Sequence, residues 1–146
     1  MNPDGTIETF TAEQLDFAYR HSVYQKSHGI VLSVAFQLQK GDKQEIKAKM
    51  DDLMGRRKEK QPLEYPSAGS VFKRPVGYFA GTMIEQCGLK GKTVGGAMVS
   101  PKHAGFIVNT GDATCQDVLD LISLIQTTVK EQTGIMLECE IRAIGG

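Results

Sequence analysis

The chain has 146 residues, enough for one domain with a buried core. Its 17 Lys and Arg balance its 17 Asp and Glu, which argues against nucleic acid or an anionic membrane as a bulk partner. No apolar run reaches membrane-spanning length, and the 3 scattered cysteines fit a reducing compartment better than a disulfide framework or a zinc site. We therefore expect a cytoplasmic chain of mixed helices and strands.

The first 40 residues are predicted to form a strand, a short helix and a second strand. Residues 3–5 (Pro-Asp-Gly) predict a turn that feeds a strand at residues 6–10. Residues 11–14 have the Thr-x-x-Gln form of a capping box, which opens a helix to about residue 18. Apolar and mixed side chains alternate over residues 30–38, which predicts a strand with one buried face.

Residues 42–60 predict an amphipathic helix. Asp42 and Glu45 have the spacing of a second capping box. Four apolar side chains form one helical stripe: Ile46, Met50, Leu53 and Met54. The cationic end at residues 56–60 suits the negative pole of the helix dipole, and an anion site is the alternative interpretation.

Residues 60–75 form a proline-rich stretch. Its three prolines and one glycine disfavour a helix and predict a loop. The pair Gly69-Ser70 between rigid prolines is a way to hold one hydroxyl in a fixed place. An ordinary turn, in which Ser67 and Ser70 bond to nearby backbone, is the alternative.

Beyond this stretch, residues 78–87 and 114–134 predict helices, and residues 94–100 and 105–109 predict short strands. The glycine-rich residues 88–96 follow a helix and not a strand. They therefore match neither the dinucleotide fingerprint nor a phosphate-binding P-loop.

Residues 135–144 predict a closing strand with one apolar face towards the core. Glu138 and Glu140 lie on the opposite face. A solvated face with cross-strand charge pairs is one interpretation, and a catalytic carboxylate on a rigid element is the other.

Six motifs in this order resemble the UDP-N-acetylenolpyruvoylglucosamine reductase family, the MurB flavoenzymes of peptidoglycan precursor synthesis. They are Phe17-Ala18-Tyr19-Arg20-His21-Ser22, Arg57-Lys58-Glu59-Lys60-Gln61-Pro62, Pro66-Ser67-Ala68-Gly69-Ser70-Val71-Phe72-Lys73-Arg74-Pro75, Gly88-Leu89-Lys90-Gly91, Lys102-His103-Ala104-Gly105-Phe106-Ile107-Val108-Asn109 and Leu137-Glu138-Cys139-Glu140-Ile141-Arg142. Only Gln39-Lys40-Gly41 separates the predicted strand from Asp42, so the chain looks like the family's second type, which lacks an inserted tyrosine loop.

The resemblance covers the C-terminal half of the family enzyme and implies an α+β fold. Residues 1–40 would be the last strand–helix–strand piece of an FAD-binding domain. Residues 41–146 would be the substrate-binding domain, a small β-sheet packed with helices. The N-terminal FAD-binding half, with most of the FAD site, would then lie outside this sequence and be a partner of it.

The resemblance also implies a reaction. In this family FAD, reduced by NADPH, delivers hydride to UDP-N-acetylglucosamine enolpyruvate and gives UDP-N-acetylmuramate. Arg20 matches the arginine that stabilises charge growing on the enolpyruvyl carboxylate, and Glu140 would act with it. We expect the carboxyl of Glu140 to be protonated or paired with Arg20. Ser70 matches the proton donor that quenches the carbanion.

Four further residues match substrate-binding positions of the family. Arg57 and Lys60 would contact the diphosphate, and Lys73 belongs to the same motif with a less defined duty. His103 would line the site, although a loop histidine is more often an exposed polar residue. Arg74 replaces an asparagine of the first type, which puts a substrate contact there in doubt, and Glu138 is interpreted as structural.

Taken alone, the chain is expected to lack both flavin and turnover. A non-catalytic module that binds UDP-sugar through Arg57, Lys60 and the proline-rich stretch is one alternative. A purely structural or interaction domain is another. Without the flavin domain, the apolar side chains of residues 30–38 should be exposed near the N-terminus or buried by self-association.

Overall fold

The computed structural model describes residues 1–144, apart from the side chain of Lys26. The chain divides into a first unit, Met1–Asp42, and a second unit that starts at Lys43. No helix among the described residues is both long and apolar enough to cross a bilayer.

The first unit contains turns and two short helices. The predicted turn at residues 3–5 is present, because the Gly5 N–H donates to the carbonyl of Asn2 at 2.9 Å. The predicted helix is reduced to a 3₁₀ turn at Glu13–Leu15, and a one-turn helix α1 follows at Tyr24–Ser27. The Thr11 N–H donates to Oε1 of Gln14 at 2.8 Å, so half of the predicted capping box forms.

The predicted strands at residues 6–10 and 30–38 are wrong for this structure, since neither segment is in a strand. A strand exists only by pairing with a neighbour, and the described part of the chain pairs no other strand with them. The alternating side chains of the second segment are exposed instead: Leu32 56 %, Val34 64 %, Phe36 78 % and Leu38 77 %. The expected apolar exposure is confirmed.

The second unit is α+β, as predicted. Its elements in chain order are α2 (Lys43–Lys60), β1 (Ser67–Ser70), α3 (Ala80–Gln86), β2 (Thr93–Val94), β3 (Ala97–Val99), β4 (Phe106–Asn109) and α4 (Cys115–Thr133). The four strands form one antiparallel sheet in the order β1-β4-β3-β2.

The predicted strand at residues 94–100 is in fact part of a hairpin. Thr93 pairs with Met98 and Val94 with Ala97, so Gly95 and Gly96 make a two-residue turn between β2 and β3. Gly95 has φ +51°, a left-handed conformation that glycine adopts without strain.

The core lies between this sheet and α4. Helix α4 contacts β2, β3 and α3, as its apolar stripe predicts. Thr114 caps its start in a reciprocal capping box with Asp117. Four side chains of the helix are buried: Leu121, Ile122, Ile125 and Val129.

Helix α2 forms where it is predicted but buries no residue. Its apolar stripe is exposed, for example Met50 at 61 %. The helix is therefore stabilised by its own backbone, by charge pairs such as Arg56 with Asp52, and by contacts at its C-terminal end.

The strand predicted at residues 135–144 is wrong for this structure, because the segment joins no strand of the sheet and pairs at one isolated bridge, Phe72 with Cys139. The predicted apolar face is right: Leu137 is fully buried, and Ile135, Cys139 and Ile141 are half-buried against the core. Ala143, at the end of the same face, is exposed.

Candidate functional site

Ser70 ends strand β1, within the stretch predicted to be a loop. Prolines flank the strand, but Ser67–Ser70 pairs with β4 at the edge of the sheet. Ser67 lies opposite Val108 and Ser70 opposite Phe106, so β1 has one extra residue between these pairs. Gly69, with φ +86°, supplies the left-handed residue that such a bulge needs. The bulge thus sets where the Ser70 side chain points. The Ser70 hydroxyl donates to the Phe72 carbonyl at 3.5 Å, and Oγ of Ser67 accepts from the Gly69 N–H at 3.4 Å. Both hydroxyls therefore bond nearby backbone, as the turn interpretation predicts.

The segments that carry Ser70 and Glu140 are neighbours in the structure, although the two residues are far apart in the chain. The N–H of Glu140 donates to the carbonyl of Val71, the residue after Ser70, at 2.8 Å. Residue 140 itself is half-buried, and its Oε2 atom is fully buried. The Ser70 hydroxyl and the partly buried carboxylate of Glu140 therefore lie on adjacent segments that are joined by a backbone hydrogen bond.

The same pairing sets Lys73 against Glu138. The Lys73 N–H donates to the Glu138 carbonyl at 2.8 Å, and the two side chains form an ion pair. Glu138 thus pairs with Lys73, which agrees with the interpretation of Glu138 as a structural residue. The Lys73 side chain is 38 % exposed, so its ammonium stays accessible at the edge of the segment that carries Ser70.

Arg57 and Lys60 lie in the last turn of α2, and both are exposed. The Nε of Arg57 donates to Oε1 of Gln61 at 3.0 Å. The two positive charges stand at the negative pole of the helix, where the dipole favours them. Helix α2 ends at Lys60, where the proline-rich stretch towards Ser70 begins.

His103 is packed and partly buried, not a free loop side chain. Its Nδ1 accepts from the Gly105 N–H at 3.1 Å, and its ring meets Phe106 edge-on at 5.0 Å. A Cβ added at Gly81 would lie 3.1 Å from its Cε1 atom. These contacts fix the ring in the turn before β4 and account for it structurally.

Arg20 lies in the first unit. It has φ +56°, and its guanidinium carbon is 5.7 Å from the centroid of the Tyr19 ring. The Gln25 side chain donates to the Arg20 carbonyl and holds this turn. Arg20 thus lies in a turn that the Ala18–His21 bridge closes, beyond the 3₁₀ turn at Glu13–Leu15. Its pairing with Glu140 stays a prediction.

Two features of this region have no signal in the sequence. The Arg74 guanidinium stacks on the Phe79 ring, 3.8 Å from its centroid, and its Nε donates to the Tyr78 carbonyl at 3.3 Å. The Lys102 ammonium donates to the Lys58 carbonyl and pairs with the Glu64 carboxylate. Stacking and long-range pairing depend on which turns meet in space, which residue spacing does not specify.

The pKa of Glu64 lies below its ordinary value, first because its own backbone N–H bonds the carboxylate and further because Lys102 pairs with it. Burial, with a smaller effect of the Glu138 charge, raises the pKa of the Cys139 thiol. Among residues 1–144 no three His, Cys, Asp or Glu side chains cluster as a metal site would require.

A family model described as "UDP-N-acetylenolpyruvoylglucosamine reductase, C-terminal domain" matches residues 61–144. A UDP-N-acetylenolpyruvoylglucosamine reductase of Limosilactobacillus reuteri is 57 % identical over 99 % of this chain and 49 % of its own length. A UDP-N-acetylenolpyruvoylglucosamine reductase 2 of Bacillus cereus is 54 % identical over 99 % of the chain and 48 % of its own length. The chain thus spans about half the length of these relatives.

A crystal structure of the MurB reductase from Thermus caldophilus superposes with a TM-score of 0.78 at 38 % identity. The match covers 96 % of this chain and 50 % of that one. The second unit is therefore an α+β domain of the MurB C-terminal type. The chain belongs to the UDP-N-acetylenolpyruvoylglucosamine reductase family.

Proposed function

We propose that this chain is the substrate-binding and proton-donating part of a reductase that converts UDP-N-acetylglucosamine enolpyruvate to UDP-N-acetylmuramate. The observation that carries the proposal is the 57 % identity to a named reductase across nearly the whole chain. Its six ordered motifs contain the residues described above. We also place the protein in the cytoplasm, in keeping with its three free cysteines.

The assignment of roles to Ser70 and Glu140 is supported by their adjacency. Reduction of the enolpyruvyl ether leaves negative charge on the carbon next to the carboxylate, and a proton must then reach that carbon. A serine hydroxyl is a weak acid, but a carbanion is a strong base, so Ser70 can donate its proton when it is held within about 3 Å. The bulge at Gly69 holds that hydroxyl on a paired strand, which favours a fixed geometry.

Charge on the substrate requires cations. In this proposal Arg20 and Glu140 face the enolpyruvyl carboxylate, with the carboxyl of Glu140 protonated or bridged by the guanidinium to avoid repulsion. Arg57 and Lys60 bind the diphosphate, because the planar guanidinium of arginine can bond two phosphate oxygens at once. Lys73 is also proposed to bind substrate, and its ammonium is paired with Glu138 in this structure. His103 is proposed to line the site by family resemblance, although its packed ring already has structural contacts.

FAD, reduced by NADPH, would supply the hydride. The chain spans about half the length of its relatives, and the first unit holds only two short helices among its described residues. We therefore propose that most of the flavin site belongs to sequence outside these residues, with residues 1–40 as the end of that domain and residues 41–146 as the substrate domain.

The proposal is tested by joining the chain to the preceding half of the L. reuteri relative. The joined protein should oxidise more than one equivalent of NADPH per flavin only when the enolpyruvyl substrate is present. Ser70→Ala should slow re-oxidation of the reduced flavin by substrate by roughly a hundredfold or more, the usual contribution of a positioned acid. The matched control is Ser67→Ala, which removes a hydroxyl from the same strand.

Equal rates for Ser70→Ala and the parent protein would exclude Ser70 as the proton donor. Binding of UDP-N-acetylglucosamine without any substrate-dependent oxidation would favour the alternative, a non-catalytic UDP-sugar-binding module. If no heat of binding appeared at millimolar ligand, a purely structural domain would be favoured.

A further inference from the structure

Lys102 joins three segments of the second unit. Its Nζ donates to the backbone carbonyl of Lys58 at 2.7 Å and lies 3.3 Å from Oε2 of Glu64. Lys58 belongs to the last turn of α2, Glu64 to the proline-rich stretch, and Lys102 to the turn between β3 and β4. One ammonium group therefore connects the end of a helix, the stretch that leads to Ser70, and the sheet.

The carbonyl that Lys102 bonds is one that the helix cannot satisfy itself. The last four carbonyls of an α-helix have no partner within it. The carbonyl of Arg57 accepts from the Gln61 N–H at 2.9 Å, and that of Lys58 accepts from Lys102. A cation at this pole also meets the negative end of the helix dipole. Because α2 buries no residue, such polar contacts hold its end in place.

The backbone of Lys102 is itself held in place by hydrogen bonds. The backbone N–H groups of Lys102 and His103 donate to Oγ of Ser100, at 3.2 and 3.3 Å. Ser100 is only 1 % exposed, and Pro101 restricts the backbone between them. The lysine is thus anchored to the core of the second unit, whereas the helix end that it bonds is exposed.

We propose that Lys102 is a positioning residue, which fixes the end of α2 against the proline-rich stretch and so holds Arg57 and Lys60 at a set distance from Ser70. This inference rests on the proposed function. The distance from Arg57 and Lys60 to Ser70 matters only if the first two bind the diphosphate and Ser70 donates the proton. Lys102 acts through these residues and needs no contact with the ligand.

The first test is amide hydrogen exchange of the 146-residue chain, followed residue by residue. Lys102→Met keeps the aliphatic stem but removes the charge and the donors. It should speed exchange of the bonded amides of Gln61, Leu63 and Tyr65 by roughly threefold to tenfold. The amide of Val99, in β3, should exchange at the parental rate and so show that the variant is folded.

Lys90→Met is the matched control. Its side chain is 33 % exposed, as is that of Lys102, and it also pairs with a glutamate, Glu85. Lys102→Arg is the conservative variant. It should restore parental exchange, because a guanidinium keeps both the charge and the donors.

The second test is calorimetric titration with uridine diphosphate. Lys102→Met should weaken binding by roughly tenfold, Lys102→Arg should restore it, and Lys90→Met should leave it unchanged. Unchanged exchange at residues 61–65 in Lys102→Met would overturn the proposal. Faster exchange with unchanged affinity would overturn the link to the diphosphate.

Failure of the proposed function has a different signature. The parent chain would then not bind uridine diphosphate at all, and the role of Lys102 in diphosphate positioning would fall with it. The exchange result would still decide whether Lys102 fixes the end of α2.

Discussion

Gly69 is the residue on which the geometry of Ser70 depends. Its φ is +86°, and nothing lies within 4 Å of the position that a Cβ would take. Space is therefore available for a side chain, but the backbone conformation is one that other residues adopt only with strain.

We expect Gly69→Ala to lower the free energy of unfolding by about 1–2 kcal/mol, the usual cost of a left-handed residue with a Cβ. Urea unfolding would measure it. Gly55→Ala is the control, since Gly55 also has open space but lies within α2 with no positive φ. There alanine should stabilise the chain by about 0.5–1 kcal/mol. If Gly69→Ala were as stable as the parent, the bulge would not depend on its glycine.

How far the site could be predicted differs from one residue to the next. The hydroxyl of Ser70 was singled out from its local setting, Gly69 and the flanking prolines. Its proximity to Glu140 came only from the family resemblance, because no local pattern links two residues so far apart in the chain. His103 was open between two interpretations. Its packing against Gly81 and Phe106 depends on tertiary contacts that spacing does not encode.

Among the elements, the prediction was right where the sequence has both an apolar stripe at helical spacing and an N-terminal capping box. Helix α4 has both, in its apolar stripe and in the Thr114–Asp117 box. Strand β1 was missed because Pro66 and Gly69 indicate a loop, while the pairing that makes it a strand comes from β4. Residues 30–38 show the opposite error: their period of two is clear, but a strand also needs a partner.

The capping box of α4 gives a pH-dependent contribution to stability. Oδ2 of Asp117 accepts from the Thr114 N–H at 2.9 Å and from the Gly96 N–H at 3.4 Å. These bonds, that of Thr114 first, hold the pKa of Asp117 below its ordinary value in the folded chain. In the unfolded chain the carboxyl has an ordinary pKa, so that state binds more protons in the window between the two values.

The contribution of Asp117 is therefore complete above about pH 4 and is lost as pH falls through the folded pKa. Urea unfolding between pH 7 and pH 3 should show Asp117→Asn to be less stable at neutral pH and to lose less stability on acidification. Asp120→Asn, on the next turn of α4, is the control, because its carboxylate accepts from the Gln116 side chain and not from the backbone. Parallel pH profiles for Asp117→Asn and the parent would contradict this account.

At the scale of the whole molecule, each unit exposes apolar side chains that a folded chain normally buries. In the first unit Phe36 is 78 % and Leu38 77 % exposed, and in the second unit Met50 on α2 is 61 % exposed. Isolated exposed apolar residues are ordinary, but a continuous apolar segment is a site of association. Val76, in the turn before α3, is 98 % exposed and lies outside residues 30–38.

We therefore expect the 146-residue chain to self-associate as its concentration rises and to bind an apolar dye. The double variant Phe36→Ser and Leu38→Ser should shift the average mass measured by light scattering towards the monomer and reduce dye binding. Val76→Ser removes a still more exposed apolar side chain and should change neither quantity, because Val76 lies outside the continuous segment. The free energy that drives association grows with the apolar area removed from water, so loss of two large side chains has the greater effect. A monomeric parent chain without dye binding would show that residues 30–38 are covered in solution.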